Sequence, residues 1–380
     1  MKFLHLGDIH LGKSVNEFSM LEDQAYILNQ ILDIAKEQSV DAILIAGDIY
    51  DKSVPSEGAV ALFDSFLNQV SEAGISLIAI SGNHDSDERL QYGSKLFEAN
   101  HIYITGKYTG TVPQVTLEDD HGPVHFYMMP FVKASLVRHF YEEDDTSTYD
   151  AALRTVMAHM DVDEKERNVI LAHQFVTGGD ADPELAGSEK AVLNVGTIDK
   201  VHYSCFDAFD YVALGHIHSG QKIGRDTCRY SGSPLKYSLK EIHHVKSVPV
   251  VTLLEKGNVE IELIELKPRR EMRKIQGPLL ELISEKNVCD SDDYIYAVLT
   301  DETMQYDAMR RLHEVYPNTM KLDYANVDQH GAASDDMYDT ENKSFQELMG
   351  DFYQLILGTE PTDEEWAILN DVAREAGVLE

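Results

Sequence analysis

Seven side chains able to hold a metal ion stand just past short apolar runs in this 380-residue chain: Asp8, His10, Asp48, Asn83, His173, His216 and His218. They fall in five segments of one design: "KFLHLGDIH" (2–10), "DAILIAGDIYD" (41–51), "SLIAISGNHD" (76–85), "NVILAHQ" (168–174) and "DYVALGHIH" (210–218). Two carboxylates, one amide and four imidazoles are too many donors for one first-row ion, and they suit two four-ligand shells sharing a carboxylate. Oxygen and nitrogen donors without thiolate favour manganese, iron or zinc over calcium or a cysteine-bound structural zinc. Two cations about 3.5–4 Å apart would clamp a phosphate and make hydroxide available near neutral pH. A single Asp, His or Asn after glycine is ordinary turn chemistry. Five such ends in one chain are not explained as five separate turns.

The elements that must position these groups are legible around them. Each apolar run is rich in Ile, Val and Leu and reads as a buried strand. Its closing Gly or Ala lets the backbone turn tightly where ligands approach, and a rigid sheet holds what its strand ends carry. Between the runs lie helical segments. Residues 19–38 place Leu21, Ala25, Leu28, Ile31, Leu32 and Ala35 at helical spacing, and Pro55-Ser56-Glu57 opens a helix over 55–74. Both read as helices covering a sheet. A third helix is expected over 87–100, with Leu90, Leu96 and Phe97 available to the core.

The motifs GDIH, GDIYD, GNHD, a lone His and GHIH, in that order over residues 1–260, resemble the calcineurin-like metallophosphoesterase signature. The resemblance implies a four-layer α/β/β/α sandwich with a small α/β capping domain and a C-terminal helical tail. It further implies that Asp8, His10, Asp48 and His218 hold one metal, and that Asp48, Asn83, His173 and His216 hold the other. His84 would face the substrate phosphate and protonate the leaving oxygen or stabilise its charge, a task suited to imidazole near neutral pH. Asp85 would orient His84 or cap the turn. Within that family, "HLGDIHLGK", "GDIYDKSVPS", "LAHQFV" and "YSGSPLKYSL" look like the nuclease subunits of bacterial SbcCD complexes, along essentially the whole chain. That likeness implies manganese-dependent cleavage of DNA at duplex ends and hairpins, and a homodimer joined to an SMC-like ATPase (SbcC) in a heterotetramer. Some relatives carry a second phosphate-facing His three residues after the bridging Asp. This chain has Asp51 there, a candidate hydrogen-bond partner for a ligand histidine.

The catalytic domain is expected to span 1–266. "ELKPRREMRKIQG" (265–277) then packs Lys267, Arg269, Arg270, Arg273 and Lys274 into a short stretch, and Lys236 and Lys240 follow the Ser-Gly-Ser-Pro turn. These are candidate phosphate contacts, although a basic run is as readily a solvated face. Residues 267–326 read as a strand–helix–strand cap and 327–343 as an acidic linker. Two amphipathic helices over 344–380 present Phe345, Leu348, Phe352 and Leu355, then Trp366 and Leu369, with a Thr362–Glu365 capping box on the second. The pair either folds back on the cap or wants a partner surface, which the resemblance identifies as the coiled-coil base of the ATPase.

Composition sets outer bounds. A chain 43% hydrophobic and 26% charged is globular, without a run of the roughly 18–20 apolar residues a membrane span needs. Three cysteines without metal spacing point to a reducing, cytoplasmic setting. The chain opens directly on its first expected strand, without a leader-like segment. The net charge of −34 means that average charge cannot hold a polyanion. Metal ions, a local basic patch or a partner must supply that attraction. The charge alone would favour a nucleotide or small phosphodiester as substrate, whereas the cap, basic run and tail favour DNA. A catalytically dead scaffold fits poorly, because all seven candidate ligands and His84 are present.

Overall fold

The structure is a computed structural model describing residues 1–179, 182–187, 200–325, 348–350 and 361–375. In chain order its principal strands are β1 (Lys2–Leu6), β2 (Ala42–Ala46), β3 (Ser76–Ile80), β4 (Ile102–Thr105), β5 (Gln114–Asp119) and β6 (Gly122–Met129). They continue with β7 (Arg167–His173), β8 (Tyr211–Gly215), β9 (Gln221–Ile223), β10 (Arg225–Tyr230), β11 (Ser247–Leu253) and β12 (Val259–Glu265). One sheet has the order β12-β11-β1-β2-β3-β4 and the other β9-β10-β8-β7-β6-β5. The inner strands β1 to β4 run parallel, as do β6, β7, β8 and β10. The antiparallel pairs lie toward the edges.

Alternation within the strands builds the layers. Phe3 on β1 and Ala42 and Leu44 on β2 point inward to meet Phe126, Val169, Leu171 and Tyr211 of the other sheet. The Phe3 ring meets Phe126 and Tyr211 edge-on at 5.7 and 5.5 Å, a favoured aromatic geometry. Buried His5 bridges the sheets through Nδ1 to the Tyr211 hydroxyl at 3.0 Å. Helices α1 (Leu21–Glu37) and α2 (Glu57–Glu72) bury apolar stripes that include Ile27, Ile31, Phe63 and Val70. On the second sheet, Ala152, Leu153 and Val156 of a helix over Tyr149–Ala158 join the core formed with Ile170, Val212 and Tyr230. The architecture is the four-layer α/β/β/α sandwich.

Two helix expectations shift. Leu21 and Ala25 of α1 are only half-buried, whereas Asp23 and Gln24 are buried, because both polar side chains have partners within the fold. The segment expected as one helix over 87–100 is broken into Asp87–Gln91, Ser94–Phe97 and a 3-10 turn. Tyr92 is extended there and Gly93 takes φ 77°, the left-handed region that ends a helix. Leu90 is buried, and Tyr92 and Leu96 are exposed.

The chain forms two compact units, Met1–Lys274 with Asp292–Tyr296, and Ile275–Ser291 with Ala297–Glu380. A three-stranded sheet of β13 (Met272–Gly277), β14 (Tyr294–Leu299) and β15 (Thr319–Tyr324) has strands that pass from one unit into the other. In the second unit a helix over Asp363–Glu375 begins with the reciprocal capping box: Thr362 N–H donates to Glu365 Oε2 at 2.8 Å, and Glu365 N–H to Thr362 Oγ1 at 3.4 Å. Leu348, Trp366 and Leu369 are partly exposed there. Phe345, Phe352, Leu355 and the expected linker lie outside the described residues. No helix among the described residues is long and apolar enough to cross a membrane.

Candidate metal centre

The five motif segments end at one edge of the sandwich: β1, β2 and β3 from one sheet, β7 and β8 from the other. Backbone there is bent hard. Asp8, His10, Asp48 and His216 all have positive φ, at 52°, 49°, 50° and 103°. Such conformations cost about 1–3 kcal/mol each for non-glycine residues and persist where the surroundings over-determine them. The glycines have a second reason beyond turning. A Cβ on Gly82 would lie 2.1 Å from Asp48 Oδ1, and one on Gly215 would lie 1.9 Å from the Ala46 carbonyl oxygen. Gly82 meets Asp48 between neighbouring ends of one sheet and Gly215 meets Ala46 across the two sheets, and at both places only glycine fits.

All seven expected ligands converge. One nitrogen or oxygen from each of Asp8, His10 and His218 lies within 4.8 Å of the others, and so does one from each of Asp8, Asp48 and His173. His10 Nε2 and His218 Nε2 are 3.0 Å apart. Asn83 Oδ1 is 3.0 Å from both His173 Nε2 and His216 Nδ1. Asp48 Oδ2 stands between the halves, 3.6 Å from His10 Nε2 and 3.4 Å from His173 Nε2. Asn83 and neighbouring His84 are half-buried while the other six expected ligands are buried, so the site opens on the GNHD side.

The electrostatics suit metal ligation, which needs neutral imidazole and ionised carboxylate. Burial lowers His10 and His216 to about 3 and His218 well below its ordinary value. Burial alone would raise Asp48, but His173, His10 and His84 around it hold its carboxyl well below the usual range. Burial alone would lower His173, yet the Asp48 and Asp8 carboxylates outweigh it and bring the ring up to about 9. His173 differs in this from the three other imidazoles of the cluster, and the carboxylates that raise it are equally a draw for a cation. Its Nδ1 is 2.8 Å from the Ala46 carbonyl oxygen, an acceptor-only partner that takes the Nδ1–H and turns Nε2 toward Asp48. This donor set fits a pair of divalent ions.

His84 is placed beside these groups. One of its ring nitrogens lies within 4.8 Å of donor atoms on His10 and Asp48. Its main-chain N–H donates to Asp48 Oδ1 at 2.9 Å, and its Nδ1 is 2.9 Å from the Asp51 carbonyl oxygen. Asp85 is turned away from the chemistry. Its carboxylate accepts N–H bonds from Gly82, Ile49 and Tyr50 at 2.9, 3.1 and 2.8 Å, so it fastens the GNHD loop to the GDIYD loop. Burial and the charge of Asp48 nevertheless raise its pKa to about 6. The Asp51 side chain pairs with Lys13 at 2.7 Å and stands 3.7 Å from His10 Nδ1, beyond hydrogen-bond reach.

The basic residues divide. Lys236 is ion-paired to Glu271 and Arg273 to Asp293. Arg270 reaches buried Asp23 at 2.8 Å and also meets Glu22 and Asp292. These three cations neutralise carboxylates of the same chain and are half-buried. Arg269 is exposed and pairs with Glu22; Lys240, Lys267 and Lys274 are exposed.

Sequence reading missed Gln24 and Tyr237. Gln24 Nε2 donates to the Ile9 and His10 carbonyls, and its Oε1 accepts from Gly12 N–H, so it holds the GDIH loop from α1. A glutamine between Leu21 and Leu28 on an apolar helix face was the available signal. The Tyr237 hydroxyl donates to the Ile9 carbonyl, and its ring meets His10 and His218 edge-on at 5.9 and 6.1 Å. Nothing local in the sequence marks it.

Comparison with known proteins agrees with this geometry. Residues 1–220 match the calcineurin-like phosphoesterase family, and residues 268–356 match the family described as type 5 capsule protein repressor C-terminal domain. The chain belongs to the calcineurin-like phosphoesterase family and is a metal-dependent phosphoesterase. It is 34% identical over 369 residues to the D component of the nuclease SbcCD from Staphylococcus saprophyticus, covering 96% of each chain. Among solved structures it is similar to a dimetal phosphatase from Danio rerio (14% identity, 70% of this chain, 99% of that chain, TM-score 0.40). Another is the protein TT1561 of Thermus thermophilus (10% identity, 69% of this chain, 98% of that chain, TM-score 0.38).

Proposed function

We propose that the protein is a two-metal DNA nuclease, cutting duplex ends as an exonuclease and hairpins or blocked ends as an endonuclease. It would serve as the nuclease subunit of an SMC-like ATPase complex in DNA repair and recombination. The observation that carries this reading is the convergence of seven metal-competent side chains and His84 at one sandwich edge. The 96% coverage of a relative named as a component of the nuclease SbcCD supports it.

Asp8, His10, Asp48 and His218 would hold one divalent ion, and Asp48, Asn83, His173 and His216 the other, with manganese preferred. Bound there, the ions would supply charge to neutralise the phosphate and to acidify the attacking water. The chain's own residues do the rest. The Asp51 carbonyl can only accept, so His84 carries a proton on Nδ1 and is locked in orientation. Nε2 is left as the nitrogen available to substrate, and the imidazolium form delivers its proton from there to the leaving oxygen. Asp85, through its three amide bonds, positions the loop that carries Asn83 and His84.

Residues 267–326 would form the cap and 327–343 a linker. Residues 344–380 would be a helix pair docking on the ATPase, with the chain dimeric in the assembly. Lys240, Lys267, Arg269 and Lys274 remain as phosphate contacts. Four such cations against a net charge of −34 leave most of the DNA affinity to the ATPase partner. Tight duplex binding by the isolated chain at physiological salt would contradict that division.

The test is cleavage of end-labelled duplex and hairpin DNA with manganese, beside EDTA, His84→Ala and a small aryl phosphodiester. Degradation lost in both controls supports the nuclease. Turnover of the small diester with DNA untouched, even with the ATPase added, would leave the metal centre and overturn the substrate.

A further inference from the structure

A charged pair lies buried directly behind the His218 ligand loop, outside the ligand set. Lys246 and Glu241 are 8% and 0% exposed, and Lys246 Nζ is 2.5 Å from Glu241 Oε2. The same ammonium donates to the His218 carbonyl and to Ser233 Oγ, each at 2.9 Å. Two of its N–H groups thus donate to fixed oxygens, and the Glu241 carboxylate balances the charge of an ammonium removed from water. The His218 carbonyl also accepts Ser233 N–H at 3.1 Å. Glu241 Oε1 accepts Tyr237 N–H at 3.2 Å, and Tyr237 in turn holds the Ile9 carbonyl beside His10. One segment, 231–246, therefore grips the main chain of both loops that carry the closely spaced His10 and His218 nitrogens.

A buried ion pair is a costly way to fill space, since apolar residues of similar volume usually serve stability as well. What apolar residues cannot do is fix a carbonyl oxygen. We infer that Lys246, held in place by Glu241, is a positioning residue that sets the His218 loop and thereby the affinity of the cation site of Asp8, His10, Asp48 and His218. This rests on the two-metal reading above.

Outer groups of this kind typically change metal affinity by about 10–100-fold. The test titrates manganese into the full-length, metal-stripped chain without DNA, by calorimetry and by the manganese electron-spin signal, alongside thermal unfolding of each stripped protein. The unsubstituted chain is expected to take up two ions. Lys246→Met should weaken one of them by about 10-fold or more and leave the other unchanged, with Lys246→Arg restoring most of the loss. Glu241→Leu combined with Lys246→Met removes the buried carboxylate together with its cation and guards against a variant that fails to fold. That double variant should regain thermal stability yet keep the weak site. Two sites of normal affinity in a folded Lys246→Met or double variant would overturn the positioning role and leave the metal centre intact. Failure of the unsubstituted chain to bind manganese would overturn both.

Discussion

The two ends of the sandwich handle buried charge in opposite ways. At the end opposite the metal centre, Arg167 is 4% exposed and its guanidinium meets the Asp119 carboxylate and the carbonyls of Gly122, Pro123, Leu253 and Leu254. Asp119 also takes the amino group of Met1, which donates in addition to the Leu253 carbonyl. These opposite charges are matched, and ordinary hydrogen bonds close the seam between β1, β5, β7 and β11. At the other end carboxylates, imidazoles and an amide oxygen face one another at 3.0–3.6 Å, on backbone held at positive φ. Oxygen and nitrogen atoms converging that way form the donor set that a cation takes. One end is arranged for stability, and the other gives up stability for function.

The contrast can be broken by exchange of its parts. The largest effect is expected from Asp48→Asn, which removes the carboxylate proposed to be common to both ligand groups. Hydrolysis should fall below detection and manganese uptake should drop, while the thermal midpoint of the metal-free chain holds or rises; retained activity in a cleavage assay would break the contrast.

Arg167→Met should do the reverse. Loss of one partner of a buried pair costs about 3–5 kcal/mol, read as a lowered urea midpoint, with manganese uptake by the folded fraction unchanged.

The pH dependence sharpens the same point. Arg167, aided by the Met1 amino group, holds the Asp119 carboxyl well below the usual range despite its partial burial. A depressed folded value gives stability that is present above the unfolded value of about 3.9 and is lost as pH falls toward the folded one. Urea midpoints should therefore drop on acidification below about pH 4, and Asp119→Asn should flatten that part of the profile.

The smallest effect separates cations that look alike in sequence. Lys267→Ala and Lys274→Ala should leave stability unchanged and each lower the salt slope of DNA binding by the assembled complex by about one. Arg270→Ala should lower stability, because it abandons buried Asp23, with little change in that slope.

The catalytic end was legible because its chemistry is carried by residue type next to strand ends. GDIH, GDIYD, GNHD and GHIH state both the metal-competent side chain and the turn that aims it, and β-strand periodicity states the sheet beneath. The remainder was not legible where a partner lies far away in sequence. Lys236, Arg270 and Arg273 read as a basic patch because Glu271, Asp23 and Asp293 join them only in the fold. The inward turn of Asp23 and Gln24 on α1 was hidden for the same reason, since both serve acceptors or donors more than ten residues away. Asp85 sits beside His84 in the chain, yet its three amide partners come from two loops. The helix break at Tyr92–Gly93 was a local signal outweighed by the apolar pattern around it.

His84 is the residue through which the proposed chemistry is most directly tested. The decisive measurement pairs manganese stoichiometry with cleavage of end-labelled duplex DNA, made on His84→Ala and on the unsubstituted chain under the same conditions. Two ions bound by both proteins, with cleavage by the variant slower by about 10²–10⁴-fold, is the predicted result for a proton donor outside the ligand set. Undiminished cleavage, or loss of a bound ion in the variant, would contradict it.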